Sequence, residues 1–169
     1  MAFDKGYVEL VIAELHDTYL ATITRAADMG CFSFAYEENT DICMGVHFQC
    51  PFRLISPEKT IVLAARDIYE PCSAFKTNPD FNFFVGNWGD IGNTRFDEIT
   101  DELLPRLSVN DFIVASIELT DFGDLKVAFA NGYRIETFVN SSGNDECWRY
   151  LPRDKNNHHL VIAGIGIID

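Results

Sequence analysis

The order of its hydrophobic patterns constrains the fold of this chain more than any other feature. Apolar residues recur at helical spacing in only two stretches, 5–16 and 94–107, and most of the remainder has the pattern of short strands. Helices and strands do not alternate as β-α-β units require. The order predicts an α+β fold, in which a mostly antiparallel sheet of about seven to nine strands carries two main helices packed on it. The length of 169 residues predicts a single domain, 1–169.

Both predicted helices begin at residues that favour helix N-termini. Asp4 can cap the first helix, and Thr94 begins the second with Asp97 at its third position, close to a capping box. Pro105 is expected to end or kink the second helix. That helix has an apolar stripe expected to face the core, formed by Phe96, Ile99, Leu103, Leu104 and Leu107.

One predicted hairpin can be assigned a register from its sequence. Strand patterns at 125–129 and 133–138 flank the dipeptide Asn131-Gly132. A two-residue loop would pair apolar residues with charged residues across the strands. A three-residue loop, 130–132, keeps apolar pairs on one face and charged pairs on the other. With Gly132 in the left-handed conformation, the expected cross-strand pairs are Phe129 with Tyr133, Val127 with Ile135, and Lys126 with Glu136.

The other strands are predicted from alternation and from turn residues. In 42–48 the even-numbered residues are apolar and share one face, whereas His47 lies on the other face. Pro51 cannot donate to a ladder, so this strand ends there, bulges, or lies on an edge. Further strands are expected at 18–26, 31–36, 60–65, 112–119, 147–151 and 159–168.

The charge of the chain excludes some classes of partner. It has 26 acidic and 13 basic residues, a formal net charge of −13, and no cluster of Lys and Arg. Binding to nucleic acid or to an anionic membrane depends on such clusters, so neither partner is expected. A strongly acidic surface can attract a basic protein, although solubility alone also explains the charge.

The cysteines and the first residues favour a cytoplasmic protein. Five cysteines are present, no two of them form a C-x-x-C pair, and the first six residues show no signal-peptide pattern. The cysteines are therefore expected to be reduced. The apolar stretch 160–168 is far too short to span a membrane.

No catalytic, cofactor or metal motif is recognisable. The sequence has no G-x-S-x-G, H-E-x-x-H, phosphate-binding glycine loop or dinucleotide fingerprint. Cys43, His47 and Cys50 suggest a zinc set, but in a regular strand Cys50 faces away from the other two. A Cys–His nucleophile pair stays open, because such partners are distant in sequence. No metal or cofactor is predicted, and a binding protein is favoured over an enzyme.

Polar and aromatic side chains set among strand residues are the candidate binding residues. Trp, Tyr and Arg anchor many protein interfaces, and the long segment 66–93 is rich in aromatic residues. A structural role is the alternative: Arg53 and Asp67 could form an internal ion pair, and Trp148 could belong to the core. The candidates are Arg53, Asp67, Tyr69, Trp88, Asn93, Trp148 and Arg149.

A resemblance to a known family is carried by four stretches: RAADM at 25–29, VHFQCPFR at 46–53, FGDL at 122–125 and CWR at 147–149. In their order they resemble a family of small uncharacterised bacterial proteins, over residues 19–151 of the chain. Some members are similar to immunity proteins, which neutralise secreted toxins. The resemblance implies a binding role and supplies no catalytic residues.

Two functions follow from the sequence as hypotheses. The first is a non-catalytic protein-binding module, an immunity-like partner that masks a basic bacterial toxin through an acidic surface, as a monomer or a homodimer. The alternative is a small-molecule-binding protein or an enzyme with a pocket between the sheet and the 66–93 loop. A deep pocket holding Arg53, Asp67 or His47 favours the second function, and a flat acidic face favours the first.

Overall fold

The structure is a computed structural model that describes residues 3–36, 44–77, 89–108, 110–154 and 156–168. Within these residues the chain forms two α-helices, α1 (Lys5–Ile12) and α2 (Arg95–Leu103), and three short 3₁₀ turns. Most of the rest is formed by strands: β1 (Thr18–Ala26), β2 (Met29–Tyr36), β3 (Met44–Phe48), β4 (Phe52–Ile55), β5 (Ile61–Ala64), β6 (Val114–Leu119), β7 (Leu125–Phe129), β8 (Arg134–Thr137), β9 (Glu146–Leu151), β10 (Leu160–Ala163) and β11 (Gly166–Ile168).

The strands form two antiparallel sheets that pack around one hydrophobic core. The first sheet has the order β1-β2-β3-β9-β10-β11, and the second has the order β5-β4-β8-β7-β6. The predicted α+β class, mostly antiparallel with two helices, is confirmed. The described residues contain eleven strands in two sheets, however, which is more strands than the sequence predicts.

The chain changes sheets at Pro51, between β3 and β4. Before this residue, the N–H groups of Gln49 and Cys50 both donate to the carbonyl oxygen of Cys147 in β9, at 2.9 and 2.8 Å. Pro51 has no N–H with which to continue the ladder. Its carbonyl oxygen instead accepts from the N–H of Phe138 at 2.9 Å, just beyond β8. Of the three outcomes expected at Pro51, the strand end is the one observed, and it separates the two sheets.

Aromatic rings join the two sheets. Phe52 of β4 lies 5.4 Å from Phe32 of β2 and 5.6 Å from Phe48 of β3, measured between ring centroids. Phe96 of α2 packs against the same ring edge to face, at 6.2 Å. Because all four side chains are almost fully buried, they hold both sheets and α2 in one core.

The alternation predicted for β3 is confirmed over the described part of that strand. Met44, Val46 and Phe48 are buried in the core, whereas His47 is half-buried on the outer face. Residues 42 and 43 lie outside the described residues.

Both helices begin where the sequence predicts. The Asp4 carboxylate accepts a hydrogen bond from the N–H of Tyr7 at 3.0 Å and caps α1. At α2, the Thr94 hydroxyl accepts from the N–H of Asp97 at 3.3 Å, and the Asp97 carboxylate accepts from the N–H of Thr94 at 3.1 Å. The predicted capping box is therefore confirmed.

Two details of the predicted elements are wrong. Leu104 is 47% exposed instead of buried, because α2 changes after Leu103 into a 3₁₀ turn that contains Pro105. The single strand predicted at 159–168 is a hairpin of β10 and β11, with Ala163 paired to Gly166 across the turn.

A buried ion pair joins α2 to the first sheet. Nε and Nη2 of Arg25, near the end of β1, donate to the two carboxylate oxygens of Asp97 at 2.8 and 2.9 Å, and neither side chain is more than 5% exposed. Arg25 also donates to the carbonyl oxygens of Ala27 and Asp90. Burial alone would raise the pKa of Asp97, but hydrogen bonds from Arg25 and Thr94 outweigh it and lower this pKa. The carboxylate therefore stays ionised.

The predicted register of the β7–β8 hairpin is confirmed. The N–H of Phe129 donates to the carbonyl oxygen of Tyr133 at 2.8 Å, which closes the three-residue loop. Gly132 has a φ of 85° and adopts the left-handed conformation that the loop requires. The other expected pairs are also observed: Lys126 with Glu136, and Val127 with Ile135.

The Gly132→Ala variant is expected to lose about 1–2 kcal/mol in its free energy of unfolding, because φ at this position is unfavourable for any residue with a β-carbon. That carbon would also lie 3.2 Å from two side-chain carbons of Pro57. Urea unfolding measures the loss. Gly143→Ala is the control, since its β-carbon would contact Ser141 at an ordinary 3.8 Å and should change stability by less than about 0.5 kcal/mol. Equal losses in the two variants would contradict the prediction.

Candidate functional site

Arg53 lies on the outer face of the second sheet, in an ion pair that differs from the expected one. Its Nε and Nη2 atoms donate to one carboxylate oxygen of Glu136 in β8, at 2.9 and 2.7 Å. Its side chain is 53% exposed. Asp67 pairs with Arg95, whose Nε lies 3.0 Å from a carboxylate oxygen. The internal ion pair between Arg53 and Asp67, the structural alternative to a binding role, is therefore not formed.

Asp67 and Tyr69 stabilise the segment that follows β5. One carboxylate oxygen of Asp67 accepts from the N–H of Ala64 at 2.8 Å, at the start of the 3₁₀ turn Ala65–Tyr69. The Tyr69 hydroxyl donates to a carboxylate oxygen of Asp28 at 3.3 Å. Burial and the adjacent Asp28 charge raise the pKa of Tyr69. These contacts give both side chains a structural role.

Two other candidates belong to the segment before α2. The backbone carbonyl oxygen of Asn93 accepts from the N–H of Cys72 at 3.0 Å. The backbone N–H of Asn93 donates to the carbonyl oxygen of Asp90 at 3.3 Å. Trp88 lies outside the described residues, as does all of 78–88. A pocket between the sheet and the 66–93 loop therefore stays a prediction.

Arg149 lies on the outer face of the first sheet, in a cross-strand row. It is opposite His47 of β3, which is in turn opposite Cys31 of β2. Nε and Nη2 of Arg149 donate to the two carboxylate oxygens of Glu146. Burial and the charge of Arg149 lower the pKa of His47, and burial raises the pKa of the Cys31 thiol. A protonated thiol beside a neutral imidazole does not favour nucleophilic chemistry.

Trp148 has no exposed side chain and belongs to the core, where it is not accessible to a partner. Its indole N–H donates to the carbonyl oxygen of Gly123 at 2.8 Å, in the turn between β6 and β7. Two of the four stretches that carry the family resemblance, 122–125 and 147–149, meet in this hydrogen bond. The indole therefore fixes the position of the turn that carries Phe122.

The turn between β6 and β7 is also held by its own side chains. The Thr120 hydroxyl oxygen accepts from the N–H groups of Phe122 and Asp124, at 3.3 and 3.0 Å. The same hydroxyl donates to a carboxylate oxygen of Asp124 at 3.0 Å. Phe122 is thus a largely exposed apolar side chain on a hydrogen-bonded backbone.

Two further segments are attached to this turn. The other carboxylate oxygen of Asp124 accepts from the N–H of Val139 at 2.7 Å, which joins the turn to the segment after β8. The N–H of Ile165 donates to a backbone carbonyl of that segment at 3.2 Å, which adds the β10–β11 turn. Gly164 allows this close packing, because an added β-carbon would overlap the carbonyl group of Ser141.

The three segments form a groove of about 300 Å³ with an apolar rim. Phe122, Phe138 and Ile165 line this groove and are 80%, 63% and 46% exposed; together they form the loop-end patch. Asp121 also lines the groove, and its carboxylate lies 3.2 Å from Nζ of Lys5. A cluster of exposed apolar side chains of this kind is typical of a binding surface.

Sequence reasoning does not select the loop-end patch, although a partial signal exists. In β8, Ile135 and Thr137 face the core, so by parity Glu136 and Phe138 face outward. The sequence does not indicate that Ile165 is exposed in a turn, because the β10–β11 hairpin is predicted as one strand.

Two other classes of site receive no support from the described part of the chain. No three of its His, Cys, Asp or Glu side chains are placed to hold a metal ion. None of its helices has both the length and the apolar character needed to cross a bilayer.

Comparison with known proteins adds no relative. No family model, no curated protein and no solved structure matches the chain. The resemblance of the four stretches therefore stays a hypothesis, and the functional conclusion rests on geometry and charge.

Proposed function

We propose that the protein is a non-catalytic binding module that holds a basic partner protein through the loop-end patch. The observation that carries this proposal is the exposure of three apolar side chains around one groove. The segments that bear them are joined by hydrogen bonds, so little conformational entropy is lost on binding. Exposed apolar clusters on such a framework favour protein recognition.

Charge favours a basic partner. The chain carries a net charge of −13. Beside the patch, the Asp121 side chain is 84% exposed and pairs with Lys5 at 3.2 Å, so the attraction comes from the net charge of the chain. A protein with Lys or Arg next to an apolar side chain would be attracted by the net charge and would place that side chain in the groove. The resemblance to immunity-like proteins favours a secreted bacterial toxin as this partner.

The alternative, a small-molecule or enzyme pocket built on the candidate polar residues, has less support. Arg53 and His47 lie on strands of different sheets, and Asp67 lies in the 3₁₀ turn after β5. The groove that Arg53 lines does not include the other two residues. That groove thus contains one of the three candidate residues, Arg53.

Native mass spectrometry of the tagged protein, recovered from lysate of its own host at low salt, tests the proposal. The expected result is a stoichiometric extra mass of protein size that is lost at high salt. Phe122→Ser combined with Ile165→Ser is expected to weaken the complex about tenfold or more, because two apolar contacts are lost.

The matched control combines Leu10→Ser with Ile91→Ser, which removes two apolar side chains that are 75% and 70% exposed outside the patch. The control is expected to retain the partner. A complex that survives in the Phe122 and Ile165 variant, or that is lost equally in the control, contradicts a role for the loop-end patch. A bare protein mass at low salt contradicts a stable partner. Urea unfolding checks that every variant is folded.

A further inference from the structure

A second groove lies on the outer face of the second sheet and shares Phe138 with the first groove. It has a volume of about 250 Å³. Part of its lining is apolar and part is charged. The lining residues are Pro51, Phe52, Arg53, Glu136, Thr137 and Phe138.

Two guanidinium groups share one carboxylate at this second groove. Arg53 donates Nε and Nη2 to one oxygen of Glu136, and Arg134 donates Nε to the other oxygen at 2.6 Å. Among the described residues, Nη1 of Arg53 and both Nη atoms of Arg134 have no hydrogen-bond acceptor. The cluster therefore has one unbalanced positive charge and spare N–H donors, in a protein whose net charge is −13.

The next charges along the sheet form a pair of their own and add no net charge to this cluster. Lys126 of β7 is opposite Glu136, but its Nζ pairs with Glu118 of β6 at 2.9 Å. Charges thus alternate across four strands, from Arg53 through Glu136 and Lys126 to Glu118. Such a row stabilises the sheet by cross-strand pairing. It leaves Arg134, which contacts Glu136 but does not itself line the groove, as the additional cation of the cluster.

We propose that the second groove binds a small apolar carboxylate, with the ligand carboxylate on Arg53 and the adjacent Arg134 and the apolar group against Pro51 and Phe138, which are exposed in the lining. Guanidinium groups bind carboxylates through paired N–H donors. An apolar lining with a few oriented polar groups is the usual form of a small-ligand site. The site shares Phe138 with the loop-end patch, but Phe122 and Ile165, which are changed in the test of the partner protein, do not line it. The two proposals can therefore be tested separately.

Glu136 is the internal competitor of such a ligand. Its carboxylate holds the donors that a ligand carboxylate would use. Removal of its charge should therefore strengthen ligand binding, whereas removal of Arg53 should weaken it. A charge row with a purely structural role gives neither effect.

Titration with phenylacetate, followed by amide NMR, tests the proposal on the full chain. Shifts are expected at Arg53, Thr137 and Phe138. Glu136→Gln is expected to bind about tenfold more tightly and Arg53→Gln about tenfold more weakly. Lys126→Gln changes the net charge as Arg53→Gln does but does not touch the groove, so its affinity should stay within about twofold of wild type.

Two further probes separate the halves of the site. Acetate lacks the ring and phenylacetamide lacks the charge. The affinity of each is therefore expected to be lower than that of phenylacetate by at least about tenfold. Absence of phenylacetate binding to both wild type and Glu136→Gln overturns the proposal. Equal effects of Arg53→Gln and Lys126→Gln, or equal affinities for acetate and phenylacetate, also overturn it. Amide spectra without ligand check that each variant is folded.

Discussion

Replacement of Asp97 by alanine is expected to lower the free energy of unfolding by about 3–5 kcal/mol. Arg25 is fully buried, and among the described residues Asp97 is its carboxylate partner. The variant therefore leaves a buried guanidinium with only carbonyl acceptors. The same carboxylate accepts from the N–H groups of Gly92 and Thr94, at 3.0 and 3.1 Å, so the start of α2 is also weakened. Urea denaturation measures the loss.

An exposed ion pair of the second sheet gives the matched control. The Glu118 side chain is 62% exposed and pairs with Lys126. Glu118→Gln removes this pair and should lower the free energy of unfolding by at most about 1 kcal/mol. Arg25→Met together with Asp97→Ala should recover part of the larger loss, because no charge stays buried. The recovery should be incomplete, since the capping box is still absent. Equal losses for the Asp97 and Glu118 variants would contradict the buried pair.

Trp148→Ala is expected to cost about 3–5 kcal/mol of unfolding free energy. The side chain is fully buried, and its removal leaves a large cavity in the core. The carbonyl oxygen of Gly123 also loses the indole N–H that it accepts at 2.8 Å. The same variant should loosen the turn that presents Phe122. Thermal or urea unfolding measures the first effect.

Trp148→Phe separates packing from the hydrogen bond. Phenylalanine retains most of the apolar contact but cannot donate, so the stability loss should be smaller, about 1–2 kcal/mol. If Gly123 and Phe122 are positioned by the indole, this milder variant should still weaken the partner complex at low salt. Wild-type stability in Trp148→Ala would contradict the packing, and wild-type affinity in Trp148→Phe would contradict the positioning role.

Structure that depends on residues close in sequence could be predicted. The β7–β8 register follows from the charges and apolar side chains of a single stretch, 126–136, because only one loop length separates the two faces. The α2 capping box follows from Thr94 and Asp97, three residues apart.

Pairing between distant segments could not be predicted. Alternation shows which side chains share a face, but it does not select the neighbouring strand. The partner of Arg53 is Glu136, 83 residues away, and not Asp67. Alternation also does not show which face of a strand will be covered by another part of the chain. Trp148 is therefore a candidate interface residue in the sequence, whereas the fold buries it in the core. The loop-end patch brings together three segments from separate parts of the chain, so sequence spacing carries little information about it.

The second sheet is one uninterrupted stretch of chain, 52–137, inserted between the two halves of the first sheet. During synthesis β3 is therefore complete about 100 residues before β9, the strand that pairs with its free edge. At translation rates of about 5–20 residues per second, this edge has no partner for about 5–20 s. Such an edge can pair with other nascent chains. The inserted sheet, whose ends meet at Pro51 and Phe138, can form during this interval. The first sheet is then completed only after β9, β10 and β11 have left the ribosome.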